Sequence, residues 1–146
     1  MIVGYFAPII PGHENQFPQF LAPFIKIAVS DSDNLNNIHI VENKLSALID
    51  TGAELCRIDS GLIEKHKFIS KGQVESNNAG VISNISLYVV QIVMEDSTVL
   101  QLTCASSPLR SSGQSVDFLF GMDAIRFFAL TVAKSRQEVT LQYLGQ

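Results

Sequence analysis

Two cysteines, three histidines and ten lysines and arginines in 146 residues leave little material for several common chemistries. Cys56 and Cys104 have no metal-ligand spacing, and they read as small buried apolar side chains in a reducing compartment. A single disulfide between them is the alternative that the sequence leaves open. His13, His39 and His66 stand far apart, so neither a metal site nor a cofactor is expected from them. The basic residues are scattered and the formal net charge is -4, which argues against nucleic acid as the main partner, because phosphate binding needs a basic patch. No apolar run reaches the roughly 18 residues of a membrane-spanning helix, so no membrane partner is expected. The opening residues have neither a basic n-region nor a clear apolar h-region, so no secretory signal is read and the cytoplasm is the expected compartment. The sequon Asn84-Ile85-Ser86 then has no consequence. Ser60, Ser106, Ser111 and Ser112 lack a nucleophile-elbow context. Asp31 and Asp33 lack the glycine and the final acid of a calcium loop.

What remains is an apolar chain, 47% hydrophobic and 16% charged, of a size that makes one self-sufficient domain. So apolar a surface suits burial against a partner, and an oligomer is expected. Residues 1–20 read as an irregular arm, punctuated by Pro8, Pro11, Gly12 and Pro18, with Phe17 and Phe20 packing on the domain or a neighbour. Residues 21–146 form the domain proper. Strands are predicted over 24–29, 38–41, 45–49, 55–58, 85–94, 99–104, 116–120, 129–133 and 138–143, the last two as a hairpin. The triplet Glu42-Asn43-Lys44 reads as a turn between two of them, and residues 70–80 read as a loop. A short helix after Asp59 or Ser60 carries Leu62, Ile63 and His66, and a helical turn is expected within 123–128. Strands dominate, so the fold class is all-β, a closed or partly closed barrel in a single domain.

The tetrapeptide Asp50-Thr51-Gly52-Ala53 follows the apolar run Ala47-Leu48-Ile49. A buried strand gives a carboxylate at its end a rigid support. Thr51 supplies a hydroxyl that can brace it, and Gly52, lacking a Cβ, lets a peptide backbone approach. That combination suits peptide hydrolysis by two Asp side chains sharing a proton around one water, since like charges so close do not both ionise. One Asp-Thr-Gly occurs and no internal repeat is visible, so a working site needs two copies of the chain.

Leu48-Ile49-Asp50-Thr51-Gly52-Ala53 resembles the active-site motif of the retropepsin-like aspartic proteases. A second segment, Phe118-Leu119-Phe120-Gly121-Met122-Asp123-Ala124-Ile125, is similar to that family's downstream strand, glycine and short helix, about 70 residues after Asp50. The closing hairpin fits as well, and the resemblance spans roughly residues 24–143. It implies a homodimeric acid-protease barrel with its active site at the subunit interface, one Asp50 from each subunit, and no cofactor. Thr51 and Gly52 would support the catalytic loop. Gly52, Ala53 and Glu54 would contact an extended peptide or protein substrate, together with Gly80 and Val81 on a covering flap near residues 77–82.

Three positions depart from the family pattern. Glu54 stands where many relatives have a shorter Asp or Ser, and a longer acid could select basic side chains or pair with a neighbour. The flap tip offers Gly80 as its glycine, which would make closure stiffer. Met122 stands where some viral members have an arginine that ties the dimer together. Asp123 follows Gly121-Met122 and not Thr-Gly, so it reads as a helix N-terminal residue and not a second catalytic acid. Alongside the protease stands the alternative of a catalytically weak or inactive dimerisation or peptide-binding module on the same fold.

Overall fold

The computed structural model describes residues 1–12, 21–32 and 34–145, with Asn78 described by its backbone alone. The readings at His13, Phe17, Pro18, Phe20 and Asp33 lie outside the described residues. In chain order the elements are β1 (Ile2–Val3), β2 (Tyr5–Pro8), β3 (Leu21–Ser30), β4 (Ile40–Ile49), β5 (Arg57–Asp59), α1 (Ser60–His66), β6 (Gly72–Asn78) and β7 (Val81–Met94). They continue with β8 (Val99–Ser107), β9 (Phe118–Phe120), α2 (Met122–Ile125), β10 (Phe128–Ala133) and β11 (Glu138–Tyr143), a short 3-10 turn joining the last two.

The larger sheet runs β2-β3-β4-β9-β5-β8-β7-β6, and β3 also pairs with β7. That extra pairing closes β3, β4, β9, β5, β8 and β7 into a ring, leaving β2 and β6 outside it as edges. Closure gives every ring strand two neighbours. The smaller sheet, β1-β11-β10, is antiparallel, with Ile2 opposite Leu141 and Leu130 opposite Leu141.

β4 shows why the ring positions a site. Its last residues alternate between two cores: Ala47 and Ile49 face the main cluster with Ile25 and Phe118, while Leu48 packs with Phe24, Leu109 and Val116. A strand buried on both faces is written as a continuous apolar run, and 45–49 has that pattern with one serine. On its other side β4 takes β9 in parallel, Ala47 opposite Phe118 and Ile49 opposite Phe120. The strand end is therefore held from both edges and both faces, and Asp50 follows it directly.

Several sequence expectations need correction. Residues 2–3 and 5–8 are strands, not irregular chain: β1 pairs with β11, and β2 pairs with β3. The two strands read over 38–41 and 45–49 are one strand. Glu42 still pairs with Val29, and Lys44 takes a positive φ of 55° beside an irregularity in the β3 ladder, so the polar triplet is absorbed without a reversal. The loop read over 70–80 is mostly β6, paired with β7 from Gly72–Leu87 to Asn78–Val81. Gln73, Glu75 and Asn77 are exposed, and the ladder stands without an apolar face beneath them. Ala79 and Gly80 turn the hairpin, both at positive φ (53° and 86°), as a tight two-residue turn demands. Asp59 precedes α1, but its side chain makes no cap; its Oδ1 accepts the Leu109 and Arg110 backbone N–H groups at 3.0 and 3.1 Å. The fold class stands: a single all-β domain. Cys56 and Cys104 are both free and buried. No helix among the described residues is long and apolar enough to cross a membrane.

Candidate functional site

Asp50 leaves the end of β4 with its own N–H donating to the Phe120 carbonyl at 3.0 Å, which prolongs the β4–β9 ladder by one bond. The chain then turns, Ala53 N–H donating to the Asp50 carbonyl at 3.2 Å. This turn brings Gly52 N–H to Asp50 Oδ1 at 3.0 Å. A Cβ on Gly52 would stand 3.3 Å from that oxygen, tighter than ordinary contact. The carboxylate is half-buried and is braced by this amide, while Thr51, Gly52 and Glu54 are exposed and Ala53 is half-buried.

The rest of the loop lies against the turn from β9 into α2. Met122 N–H donates to Ala53 O at 2.8 Å and Asp123 N–H to Glu54 O at 3.1 Å. A Cβ on Gly121 would come within 2.8 Å of Ala53 O and 3.1 Å of Leu55 O, so this crossing requires glycine. The apolar-apolar-glycine segment thus meets the Asp50 loop as expected for two packed elements.

Two side chains play a part that sequence reasoning did not assign. Asp123 Oδ1 accepts the Cys56 backbone N–H at 3.1 Å and the Cys56 thiol at 2.9 Å. Cys56 Sγ in turn accepts the Gly121 N–H at 3.3 Å. Burial first, and the neighbouring Cys104 second, push the Cys56 thiol well above its ordinary range, so the sulfur keeps its proton and serves as a donor to the carboxylate. Asp123 does sit in the first turn of α2, where sequence placed it. The sequence showed no sign of its contact with Cys56, because a helix-start aspartate explains itself locally.

Gly80 and Val81 belong to a different element. They form the tip of the β6–β7 hairpin, where Gly80 N–H donates to Asn77 Oδ1 at 3.0 Å. Val81 and Ile82 stand 67% and 65% exposed there, an apolar tip presented to its surroundings. The structure therefore gathers Asp50, Thr51, Gly52, Ala53 and Glu54 in one loop and puts Gly80 and Val81 on a hairpin end. Among the described residues no group of three His, Cys, Asp or Glu side chains converges as a metal set.

Neither a family model nor a curated protein matches the chain. Solved structures do. A retropepsin-like aspartic protease from Rickettsia conorii superposes with a TM-score of 0.52 at 14% identity, over 83% of each chain. The EIAV protease, complexed with the inhibitor HBY-793, gives 0.47 at 12% identity over 72% of this chain and 86% of its own. The retroviral protease-like domain of Ddi1 from Leishmania major gives 0.45 at 9%, over 84% and 95%. At such identities a likeness speaks for the fold, and the Rickettsia structure carries it: the chain has the fold of the retropepsin-like aspartic proteases.

Proposed function

We propose that the chain is one half of a homodimeric aspartic endopeptidase. The observation that carries this reading is the Asp50 carboxylate at the end of a strand fixed on both sides, oriented by the Gly52 amide, on the retropepsin-like fold. Two such loops meeting across a symmetry axis would set two Asp50 carboxylates around one water. One, ionised, takes a proton from the water as general base; the other, protonated, donates a hydrogen bond to the scissile carbonyl. The pair then returns the proton to the leaving amine, so it is regenerated with each cycle.

The substrate is an extended peptide bound as a strand, with backbone bonds for affinity and alternating side chains for specificity. Gly52, Ala53 and Glu54 form the floor on this reading, and the hairpin carrying Gly80 and Val81 acts as the flap. The exposed Glu54 carboxylate favours basic side chains in the pocket it borders. Exclusion of water by the apolar hairpin tip would complete the site.

The test is cleavage of a diverse peptide pool from acidic to neutral pH by the native chain and by Asp50→Asn, with the association state measured by sedimentation. Cleavage that disappears in Asp50→Asn, from a dimeric protein, supports the proposal. A folded dimer that binds peptides and cleaves none, with or without Asp50, would replace it by the peptide-binding module.

A further inference from the structure

We propose that Asp123 is the positioning residue that sets the substrate-facing segment Ala53–Glu54, acting through Cys56. This rests on the protease reading above.

Three bonds define the arrangement. The Asp123 backbone N–H holds the Glu54 carbonyl at 3.1 Å. The Asp123 side chain holds Cys56 twice, through the main-chain N–H at 3.1 Å and the thiol at 2.9 Å. Asp123 therefore grips the chain on both sides of Leu55 with two different parts of itself. Cys56 Sγ ties the clamp back to the β9–α2 turn by accepting the Gly121 N–H at 3.3 Å.

The clamp matters because packing around this segment is incomplete. Leu55 is half-buried and borders an open cleft of about 430 Å³, which Asp123, Arg126 and Phe127 also line. Glu54 is exposed. Cys56, by contrast, is fully buried in the main core. Between the anchored Cys56 and the ladder-bound Asp50, the backbone of 53–55 is held by the Met122 and Asp123 N–H groups on one side and by the Asp123 carboxylate at Cys56 on the other, with Ala53 and Leu55 only half-buried. Asp123 is half-buried, but the Cys56 N–H and S–H that it accepts belong to a fully buried residue, so removing the carboxylate takes away the one acceptor they share. The segment would then relax toward the cleft.

Asp50 itself is held independently, by Phe120 O and by Gly52 N–H. Loss of the clamp should therefore disturb the binding of substrate main chain and side chains next to Ala53 and Glu54 more than the proton chemistry. Asn at position 123 keeps a side-chain carbonyl able to accept from Cys56, whereas Ala does not.

The experiment is steady-state cleavage of a peptide drawn from the wild-type cleavage pool, using Asp123→Ala, Asp123→Asn and Cys56→Ala, each checked for native circular dichroism. Asp123→Ala is expected to raise KM about tenfold with kcat changed less than about threefold, and Asp123→Asn to return KM to near the wild-type value. Cys56→Ala, which deletes the thiol and leaves the main-chain bond, should raise KM by a smaller factor and carries the test if Asp123→Ala does not fold. An active wild type whose KM is unmoved by these substitutions, or an Asp123→Asn as impaired as Asp123→Ala, overturns the positioning role and leaves the protease reading standing. A wild type that cleaves no peptide overturns that reading, and this inference falls with it.

Discussion

Gly52 N–H lies 3.0 Å from Asp50 Oδ1, and a Cβ on the same glycine would lie 3.3 Å from that same oxygen. Donor and missing side chain thus address one atom. The amide orients the carboxylate from the front of the turn, and the absence of a methyl group keeps the approach to it open. Gly52→Ala would press on the carboxylate and crowd any peptide lying over the loop, while the exposed position leaves little packing to lose. On the protease reading, cleavage is expected to fall by at least about tenfold, as small misplacements at a reacting group do, with a melting temperature shifted by only a few degrees. Peptide kinetics beside a thermal melt of the same preparation checks both halves.

Gly121 presents the opposite balance. Its absent Cβ would meet Ala53 O at 2.8 Å and Leu55 C at 3.0 Å, both backbone atoms that do not swing aside. Gly121→Ala must push the Asp50 loop off the β9–α2 turn and stretch the Met122–Ala53 bond, now 2.8 Å. Overpacking of this kind costs about 1–3 kcal/mol. Urea denaturation should show a lower midpoint with an unchanged slope, and on the protease reading cleavage should fall with it. A variant as stable as the wild type would show that the crossing has room the structure does not record.

The parts of the molecule legible in sequence were those whose physics is local. Residues 45–49 announce a doubly buried strand by composition alone, and the tetrapeptide after it places Asp50 at a strand end. The hairpin read over 129–133 and 138–143 is found as Phe128–Ala133 and Glu138–Tyr143, because each strand carries its own alternation. β6 is not legible because residues 72–77 show no alternating buried face; its ladder rests on backbone pairing with β7. β1 was missed because two residues show no period, and only Leu141 and Thr140 opposite them make a strand. The Cys56–Asp123 and Ser46–Asp117 bonds span 67 and 71 residues, and no local pattern encodes a partner at that distance.

Glu42, read as part of a turn, accepts Lys65 Nζ at 2.6 Å and His66 Nε2 at 2.9 Å, tying β4 to α1. The Lys65 bond, with that of His66 after it, holds the Glu42 carboxyl below the usual carboxylate range. A carboxyl depressed in the folded state contributes stability that is present above its unfolded value, near 4.5, and lost as pH falls through the lower folded value. Lys65 is largely exposed, so its share is screened and small, about 0.5 kcal/mol. Glu42→Gln should therefore be less stable than wild type at neutral pH, and the two melting curves should converge as the pH is lowered below about 4. A difference that persists undiminished in acid would assign the effect to packing and not to charge.

The loop between β8 and β9 depends on Asp117. Its Oδ1 and Oδ2 accept Arg110 Nε and Nη2 at 2.7 and 3.0 Å, and Oδ2 also accepts the Ser46 N–H at 2.8 Å on β4. The Asp117 main chain donates to Ser46 O and accepts from Asp59 N–H, both at 2.9 Å. One residue thus connects the central strand, the start of α1 and the loop whose Leu109 and Val116 close the second core over Leu48. Asp117→Ala leaves the half-buried Ser46 N–H without its acceptor and frees the guanidinium, which is itself half exposed and can rehydrate. Leaving a part-buried donor unpaired, with a partly solvated ion pair broken beside it, costs about 1 kcal/mol. Asp117→Asn retains an acceptor for Ser46 and should lose less than Ala. Because Ser46 lies on β4 four residues before Asp50, which follows the strand end, the alanine variant should also show faster hydrogen exchange at residues 46–50. Equal stability of the two variants would mean that the Arg110 pair, and not the Ser46 bond, dominates this junction.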